Sequence, residues 1–597
     1  MTDYQSSKSS NMEVARLFDI PYYQLEKYPK EDSLCAKING QWVKTSTKSF
    51  VDQGMMVSKA LLSLGIKPGD KVAMISNNRP EWNIVDMGIL MIGAINVPIY
   101  PTISAKDYKF IFNHAEVKLC FVSDDELLGK VNEVKNEVPT LTKIVTFNET
   151  DGEEHFSTFK NRGKDVPTTE VEDLKKEINA NDLATLIYTS GTTGDPKGVM
   201  LSHHNIVSNV HGSRERLPCD ENSKAVSFLP LCHVYERMVL YLFMYTGVSI
   251  YYAESMDTIG DNIREVQPHV FTAVPRLLEK VFDKIMAKGS ELTGIKKALF
   301  FWAVSLGERW EPYGQNGLLY EMQLSIANKL IFSKWREALG GNVEAVASGS
   351  AALQPRLARI FNAAKIPVLE GYGLTETSPV AAVNSFKNKG FMIGTVGRKL
   401  HNVEIKIADD GEILLKGPNV MIGYYKREDL TKEVLTEDGW LHTGDIGTMI
   451  DGQYLKITDR KKEIFKTSGG KYIAPQLMEN AFKASRFIDQ IMVIGENQKH
   501  PAALIVPDLE FCKEWCKRKG QDCDTMEKMA KNSSLKERIW EEIDEINQEF
   551  AKYEMIKKIE LCAAPWTIET DELTPSLKLK RKVIKAKYAD LIESIYS

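Results

Sequence analysis

Short β-branched runs recur along most of this chain, flanked by longer segments of polar–apolar helical periodicity. Lys71–Ile75 (KVAMI), Lys118–Val122 (KLCFV), Lys143–Phe147 (KIVTF) and Val270–Val274 (VFTAV) are examples. Strands alternating with helices predict an α/β fold with largely parallel sheets, because a parallel pair needs a long crossover and a helix supplies it. At 597 residues the chain exceeds what one hydrophobic core organises, so several subdomains are expected.

Past about residue 395 the texture changes. Val403–Ile407 (VEIKI), Gly411–Lys416 (GEILLK) and Tyr454–Ile457 (YLKI) are short strands, and the region carries turn signals at Asp410-Gly411, Asp438-Gly439 and Asp451-Gly452. They predict a small, mostly antiparallel β subdomain. The charged run Thr458–Lys462 (TDRKK) then marks a linker. The expected division is an N-terminal domain over 1–459 and a small α+β domain over 460–597, with a long polar helical region from about Thr525 to Lys558.

A net charge of −5 gives no basic domain that would suit nucleic acid. The eight cysteines are scattered; Cys512, Cys516 and Cys523 cluster without a Cys-x-x-Cys pair or a histidine. Reduced thiols, and hence a cytoplasmic setting, are expected. The segment MTDYQSSKSSNMEVARLF has no apolar signal core, and the apolar run Met238–Ala253 is broken by Thr246, Gly247 and Ser249. Core rather than membrane span is expected there, and peripheral membrane contact stays open.

The chemistry begins where the apolar run Leu183–Thr189 (LATLIYT) ends. Thr189, Ser190, Gly191, Thr192, Thr193, Gly194, Asp195, Pro196, Lys197 and Gly198 follow in sequence. Three glycines permit close backbone approach to a ligand. Backbone N–H groups, four hydroxyls and an ammonium together suit a polyphosphate. No Walker A spacing fits. An isolated cluster of this kind would be read as a turn.

The full string YTSGTTGDPKGVMLSH closely resembles the phosphate loop of the adenylate-forming superfamily, which includes acyl-CoA synthetases, luciferases and peptide-synthetase adenylation domains. Further matches follow in the expected order. In Glu370-Gly371-Tyr372-Gly373-Leu374-Thr375-Glu376-Thr377, the resemblance makes Tyr372 the adenine-stacking ring, Thr375 the α-phosphate contact and Glu376 the Mg²⁺ ligand. In Trp440–Asp445 (WLHTGD), Asp445 matches the ribose-binding aspartate. In Asp459–Glu463 (DRKKE), Arg460 matches a ribose or phosphate contact and Lys462 the hinge of the C-terminal domain. Gly469-Gly470 match the loop lining the pantetheine channel. Leu573–Lys582 (LTPSLKLKRK) carries the catalytic lysine in the family, and Lys578 aligns best. The stretch Ser576–Tyr588 holds six basic residues and no acid, and reads as a basic exposed helix suited to anionic CoA or lipid.

Leu229–Arg237 (LPLCHVYER) resembles the long-chain fatty acyl-CoA synthetases in particular, where the histidine matching His233 lies near the carboxylate. Ser348-Gly349-Ser350 matches the segment whose small residues admit acyl carboxylate and purine, and Val274-Pro275-Arg276 fits the same subgroup. The resemblance spans roughly residues 20 to 590. It implies ATP, Mg²⁺, CoA and a fatty acid as ligands, two α/β sheet subdomains with a small β-barrel-like unit, and a mobile α+β lid. Two alternatives are an acyl-AMP ligase serving a carrier protein and a non-catalytic lipid-binding relative. Neither acyl-chain length nor oligomeric state is carried by a motif.

Overall fold

The computed structural model describes residues 13–189, 196–574 and 577–597. The predicted alternation of strands and helices is present. An eight-stranded sheet has the order Gly423–Tyr424, Lys197–Ser202, Leu183–Thr189, Ile95–Ile99, Lys71–Ile75, Val117–Val122, Lys143–Thr146, Glu154–His155. From Leu183–Thr189 to Glu154–His155 its neighbours run parallel; the other edge is antiparallel. A nine-stranded sheet has a parallel centre running Val368–Gly373, Ala345–Ser348, Val270–Ala273, Lys224–Ser227 and Ser249–Tyr252. The central strands are buried end to end, which explains why they read as continuous apolar runs rather than as alternating ones.

Helices Thr47–Ser63, Pro80–Met91, His203–Ser213 and Val234–Thr246 contribute to the largest core. The apolar run Met238–Ala253 forms most of the last of these helices and the strand Ser249–Tyr252, both buried. Gly247, at φ +79°, ends that helix with a left-handed residue, and an added Cβ would meet Tyr28 at 2.8 Å. Among the described residues no helix is long and apolar enough to cross a membrane.

One buried ionic network ties the helices Val234–Thr246 and Pro80–Met91 to the eight-stranded sheet. Arg237, on the helix Val234–Thr246, donates to Asp86 at 2.6 Å and to Thr185 on the strand Leu183–Thr189 at 2.8 Å. Asn96 and Tyr241 also donate to Asp86. Burial opposes the Arg237 charge, but Asp86 and Tyr241 together more than offset it and the guanidinium pKa rises.

The β subdomain is a four-stranded antiparallel sheet of Glu404–Ile407, Glu412–Lys416, Leu441–Ile450 and Tyr454–Arg460. Past it, the strands Ile488–Ile494, Ala502–Pro507 and Ile559–Leu561 build a separate core that includes Cys512, Cys516 and Cys523. The expected helical region from about Thr525 to Lys558 comprises two helices, Met526–Lys531 and Ser533–Asn547, and ends short of Lys558. Asn532 divides them: its backbone is extended and its side chain accepts from Leu535 N as a new N-cap.

Candidate active site

The strands Leu183–Thr189 and Lys197–Ser202 form an antiparallel pair in which Thr189 faces Lys197. The residues between them that were read as a phosphate cradle, Ser190, Gly191, Thr192, Thr193 and Gly194, lie outside the described residues. The Lys197 ammonium stands 4.9 Å from the centre of the Tyr424 ring. The Tyr424 hydroxyl donates to Glu376 Oε1 at 2.8 Å. Tyr424 is placed there by the edge strand Gly423–Tyr424, which pairs with Lys197–Ser202. Sequence reasoning missed it, because an aromatic pair after a glycine carries little signal by itself.

Glu376 follows the strand Val368–Gly373, in the short turn Thr375–Thr377. Gly373 is required there: an added Cβ would lie 1.7 Å from the Pro379 carbonyl oxygen. Thr377 locks the turn by accepting from Leu374 N at 2.9 Å and donating to the Pro379 carbonyl. The half-buried Glu376 is a hard carboxylate beside the Lys197 hairpin, a donor type that fits Mg²⁺.

The Tyr372 hydroxyl donates to Asp445 Oδ2 at 2.7 Å, and Arg460 Nε donates to Asp445 Oδ1 at 2.9 Å. Asp445 and Arg460 are register partners on adjacent strands, so the small antiparallel sheet fixes both. Burial penalises the Arg460 charge, yet Asp445 and Glu376 outweigh it and its pKa rises. Lys578, from the C-terminal domain, joins the same group. Burial lowers its ammonium pKa first and Arg460 lowers it further, against the pull of Asp445 and Glu376. The residue is nonetheless exposed to water, which screens these effects.

His233 begins the helix Val234–Thr246, and its Nδ1 accepts from Tyr235 N at 3.1 Å. Burial, and next the Lys578 charge, push its pKa down to about 4. The ring is therefore neutral at physiological pH, and with Nδ1 accepting, Nε2 carries the proton.

Gly349, at the end of the strand Ala345–Ser348, would bring a Cβ within 3.3 Å of the Tyr235 ring. Ser350 takes a left-handed φ of +72°. Three buried polar atoms around this point have no partner among the described residues: Tyr235 Oη, Ser348 Oγ and Glu370 Oε1. Ser348 and Glu370 are register neighbours. Burial raises the Glu370 carboxyl to about 8. Such groups carry a desolvation cost, and a bound ligand is one way to offset it.

The structure thus brings together Lys197, Tyr372, Glu376, Asp445, Arg460 and Lys578, with His233, Gly349 and Gly371 alongside. Two expected sites lie apart. Lys462 occupies an exposed turn just after Arg460, and Gly469-Gly470 form an exposed turn closed by Gly470 N donating to the Thr467 carbonyl. A Cβ added at Gly470 would meet nothing within 4 Å, so no channel wall stands against it in this arrangement. The basic run at the C-terminus, expected as a basic exposed helix, forms the helix Arg581–Lys587 and carries several of its charges in ion pairs. Arg581 is held by Glu463 and Glu479, Lys580 by Asp571, Lys585 by Glu496 and Lys587 by Glu572.

The family described as AMP-binding enzyme matches residues 23–425, and the AMP-binding enzyme C-terminal domain matches residues 462–597. The chain belongs to the AMP-binding, adenylate-forming enzymes, in their long-chain acyl-CoA synthetase subgroup. Among its relatives is the long-chain-fatty-acid–CoA ligase FadD15 of Mycobacterium bovis, 34% identical over 94% of this chain and 93% of that protein. The peroxisomal long chain acyl-CoA synthetase 7 of Arabidopsis thaliana is 30% identical over 100% of this chain and 89% of its own length. The fold is shared with the adenylation domain of a carboxylate reductase from Mycobacterium chelonae, at a TM-score of 0.75, 23% identity, 98% coverage of this chain and 92% of that one.

Proposed function

We propose that this protein activates a long-chain fatty acid in two steps, acyl-AMP formation with release of pyrophosphate and then transfer of the acyl group to CoA with release of AMP. The observation that carries the reading is the arrival of Lys578 from the C-terminal domain at the Arg460–Asp445–Glu376 group. In the first step the fatty carboxylate attacks the α-phosphate of ATP. Lys578 lies between the reacting groups and offsets the negative charge that builds there. Lys197 and the hydroxyl loop hold the β- and γ-phosphates and Thr375 contacts the α-phosphate; Glu376 would hold Mg²⁺, which when bound would supply positive charge against the phosphates. Tyr372 stacks on adenine; Asp445 and Arg460 hold the ribose. Neutral His233 donates from Nε2 to the carboxylate, orienting it without competing for the proton.

In the second step the C-terminal domain rotates about Lys462, withdrawing Lys578 and carrying Gly469-Gly470 to the CoA channel. The boundary between 459 and 460 is the same proposal stated as domains. Pyrophosphate exchange with ATP across acids from acetate to long-chain fatty acids tests the reading, with CoA-dependent AMP release as the second measurement. Exchange that rises with chain length is expected. No exchange with any acid would overturn it, and exchange without thioester formation would move the acceptor from CoA to a carrier protein.

A further inference from the structure

A chain of hydrogen-bonded side chains links the two large sheets and brackets His233 in the sequence. Asn78 lies just past the strand Lys71–Ile75 of the eight-stranded sheet. Its Nδ2 donates to Ser227 Oγ at 3.0 Å and to the Leu229 carbonyl at 2.7 Å, and its Oδ1 accepts from Leu231 N at 3.2 Å. Ser227 ends the strand Lys224–Ser227 of the nine-stranded sheet and donates in turn to Glu236 Oε1 at 2.6 Å. Thr272, on the strand Val270–Ala273 of the same sheet, donates to Glu236 Oε2. Ser227, Glu236 and Thr272 are at most 1% exposed.

His233 stands between the two anchors. Asn78 fixes the segment before it through one carbonyl and one amide. Glu236 fixes the helix that follows, one turn further along. Between them the backbone closes on itself: His233 N donates to the Pro230 carbonyl, and Arg237 N to the His233 carbonyl. Among the described residues the imidazole makes one hydrogen bond, Nδ1 accepting from Tyr235 N, which belongs to the same turn. Where Nε2 points is therefore set by this stretch of backbone. Glu236 is a costly way to hold a helix. A buried carboxyl loses its hydration, and among the described residues its partners are two hydroxyls and no cation. An apolar side chain of similar volume would fill the space at less cost. What the acid adds is direction, because the two hydroxyls sit on neighbouring strands and fix one oxygen each.

We propose that Asn78 and Glu236 are positioning residues for acyl-adenylate formation: they clamp the backbone on either side of His233 and so hold its Nε2 where the fatty carboxylate is oriented. The proposal rests on the role given to His233 above and adds the two residues that make that role possible. Both act through His233 rather than on the substrate.

A double-mutant cycle on pyrophosphate exchange with a fatty acid, in the full chain, tests it. Asn78→Ala and Glu236→Leu should each lower kcat by about tenfold to a hundredfold, the scale of a small misplacement of a reacting group. The KM values for ATP and fatty acid should stay within about threefold, whereas a deformed pocket would raise them. His233→Ala should lower kcat at least as much. Adding either change to His233→Ala should lower kcat by no more than about twofold further, because the clamp then has nothing to position. Glu236→Gln keeps the length and still accepts from one hydroxyl, so it should recover most of the loss seen in Glu236→Leu. Calorimetric binding of α,β-methylene-ATP at the parent's affinity shows each variant to be folded. If Glu236→Leu does not bind it, Asn78→Ala carries the cycle; if neither binds it, both residues are general supports of the fold and the proposal is overturned. Losses that multiply in the double variants overturn it too, as do single variants, or a His233→Ala enzyme, as fast as the parent. No exchange by the parent with any fatty acid sinks the functional reading and the clamp with it; exchange by the parent with multiplying losses sinks the clamp alone.

Discussion

Glu370 and Tyr424 show how single residues set the conditions of this site. The Glu370 carboxyl keeps its proton up to about pH 8, whereas an unfolded glutamate loses it near 4.5. Its contribution to stability is complete below the unfolded value and is lost as pH rises through the folded one. Glu370→Gln, neutral at every pH, should therefore gain in Tm against the parent between about pH 5 and about pH 9. Thermal melts across that range check it; parallel curves would mean that the buried carboxyl ionises without cost. Tyr424→Phe removes the donor to Glu376 Oε1. A hydrogen bond to a charged group is worth about 1.5–3 kcal/mol, so adenylation at limiting magnesium should fall roughly tenfold to a hundredfold. Exchange assays over a magnesium series would read this, and an unchanged magnesium dependence would detach Tyr424 from the metal site. The glycines, acids and lysine of the motifs were legible through the family resemblance, since alone they read as turns and a solvated linker. Tyr424 was not, since its role comes from an edge strand pairing with Lys197–Ser202 across more than two hundred residues of sequence.

At the scale of elements, the helix Val234–Thr246 and the strand Leu183–Thr189 act as one unit through Arg237. One element starts at His233 and the other ends at the phosphate loop, so the Arg237–Asp86 pair holds the acyl and nucleotide sides in fixed relation. Both side chains are at most 2% exposed. Arg237→Met leaves Asp86 buried and unpaired, which should cost about 3–5 kcal/mol in urea unfolding. A loss under about 1 kcal/mol would mean that water reaches Asp86. The strand positions themselves were readable as apolar runs. The register that puts Thr185 beside Arg237 was not, because apolar runs identify buried strands and say nothing of which buried polar group faces which. The division of the Thr525–Lys558 region at Asn532 was missed for a related reason: one side-chain cap outweighs a continuous polar periodicity.

For the whole molecule, the arrangement of the two domains matters most. Arg276, at the start of the helix Pro275–Glu291, forms an ion pair with Asp489 on the C-terminal strand Ile488–Ile494, and Lys578 sits over the nucleotide side. This is a geometry suited to adenylation. Lys578→Ala should lower pyrophosphate exchange by about a hundredfold or more and leave thioester formation from supplied acyl-AMP nearly intact. Equal loss in both half-reactions would point to a misassigned lysine or a folding defect.

By itself the sequence determined the alternation of strands and helices, the order of the binding motifs and the chemistry each residue type offers. These are local properties: periodicity, turn chemistry and side-chain functional groups act over a few residues. Tertiary structure alone decided that Tyr424 holds Glu376, that Arg237 joins its helix to the eight-stranded sheet, that four of the six basic residues in the C-terminal run pair with acids up to about 120 residues away, and that an apolar stripe on Leu318–Leu330 is left exposed. Pairing, burial and exposure depend on contacts between segments far apart in the chain, and no window of sequence contains both partners.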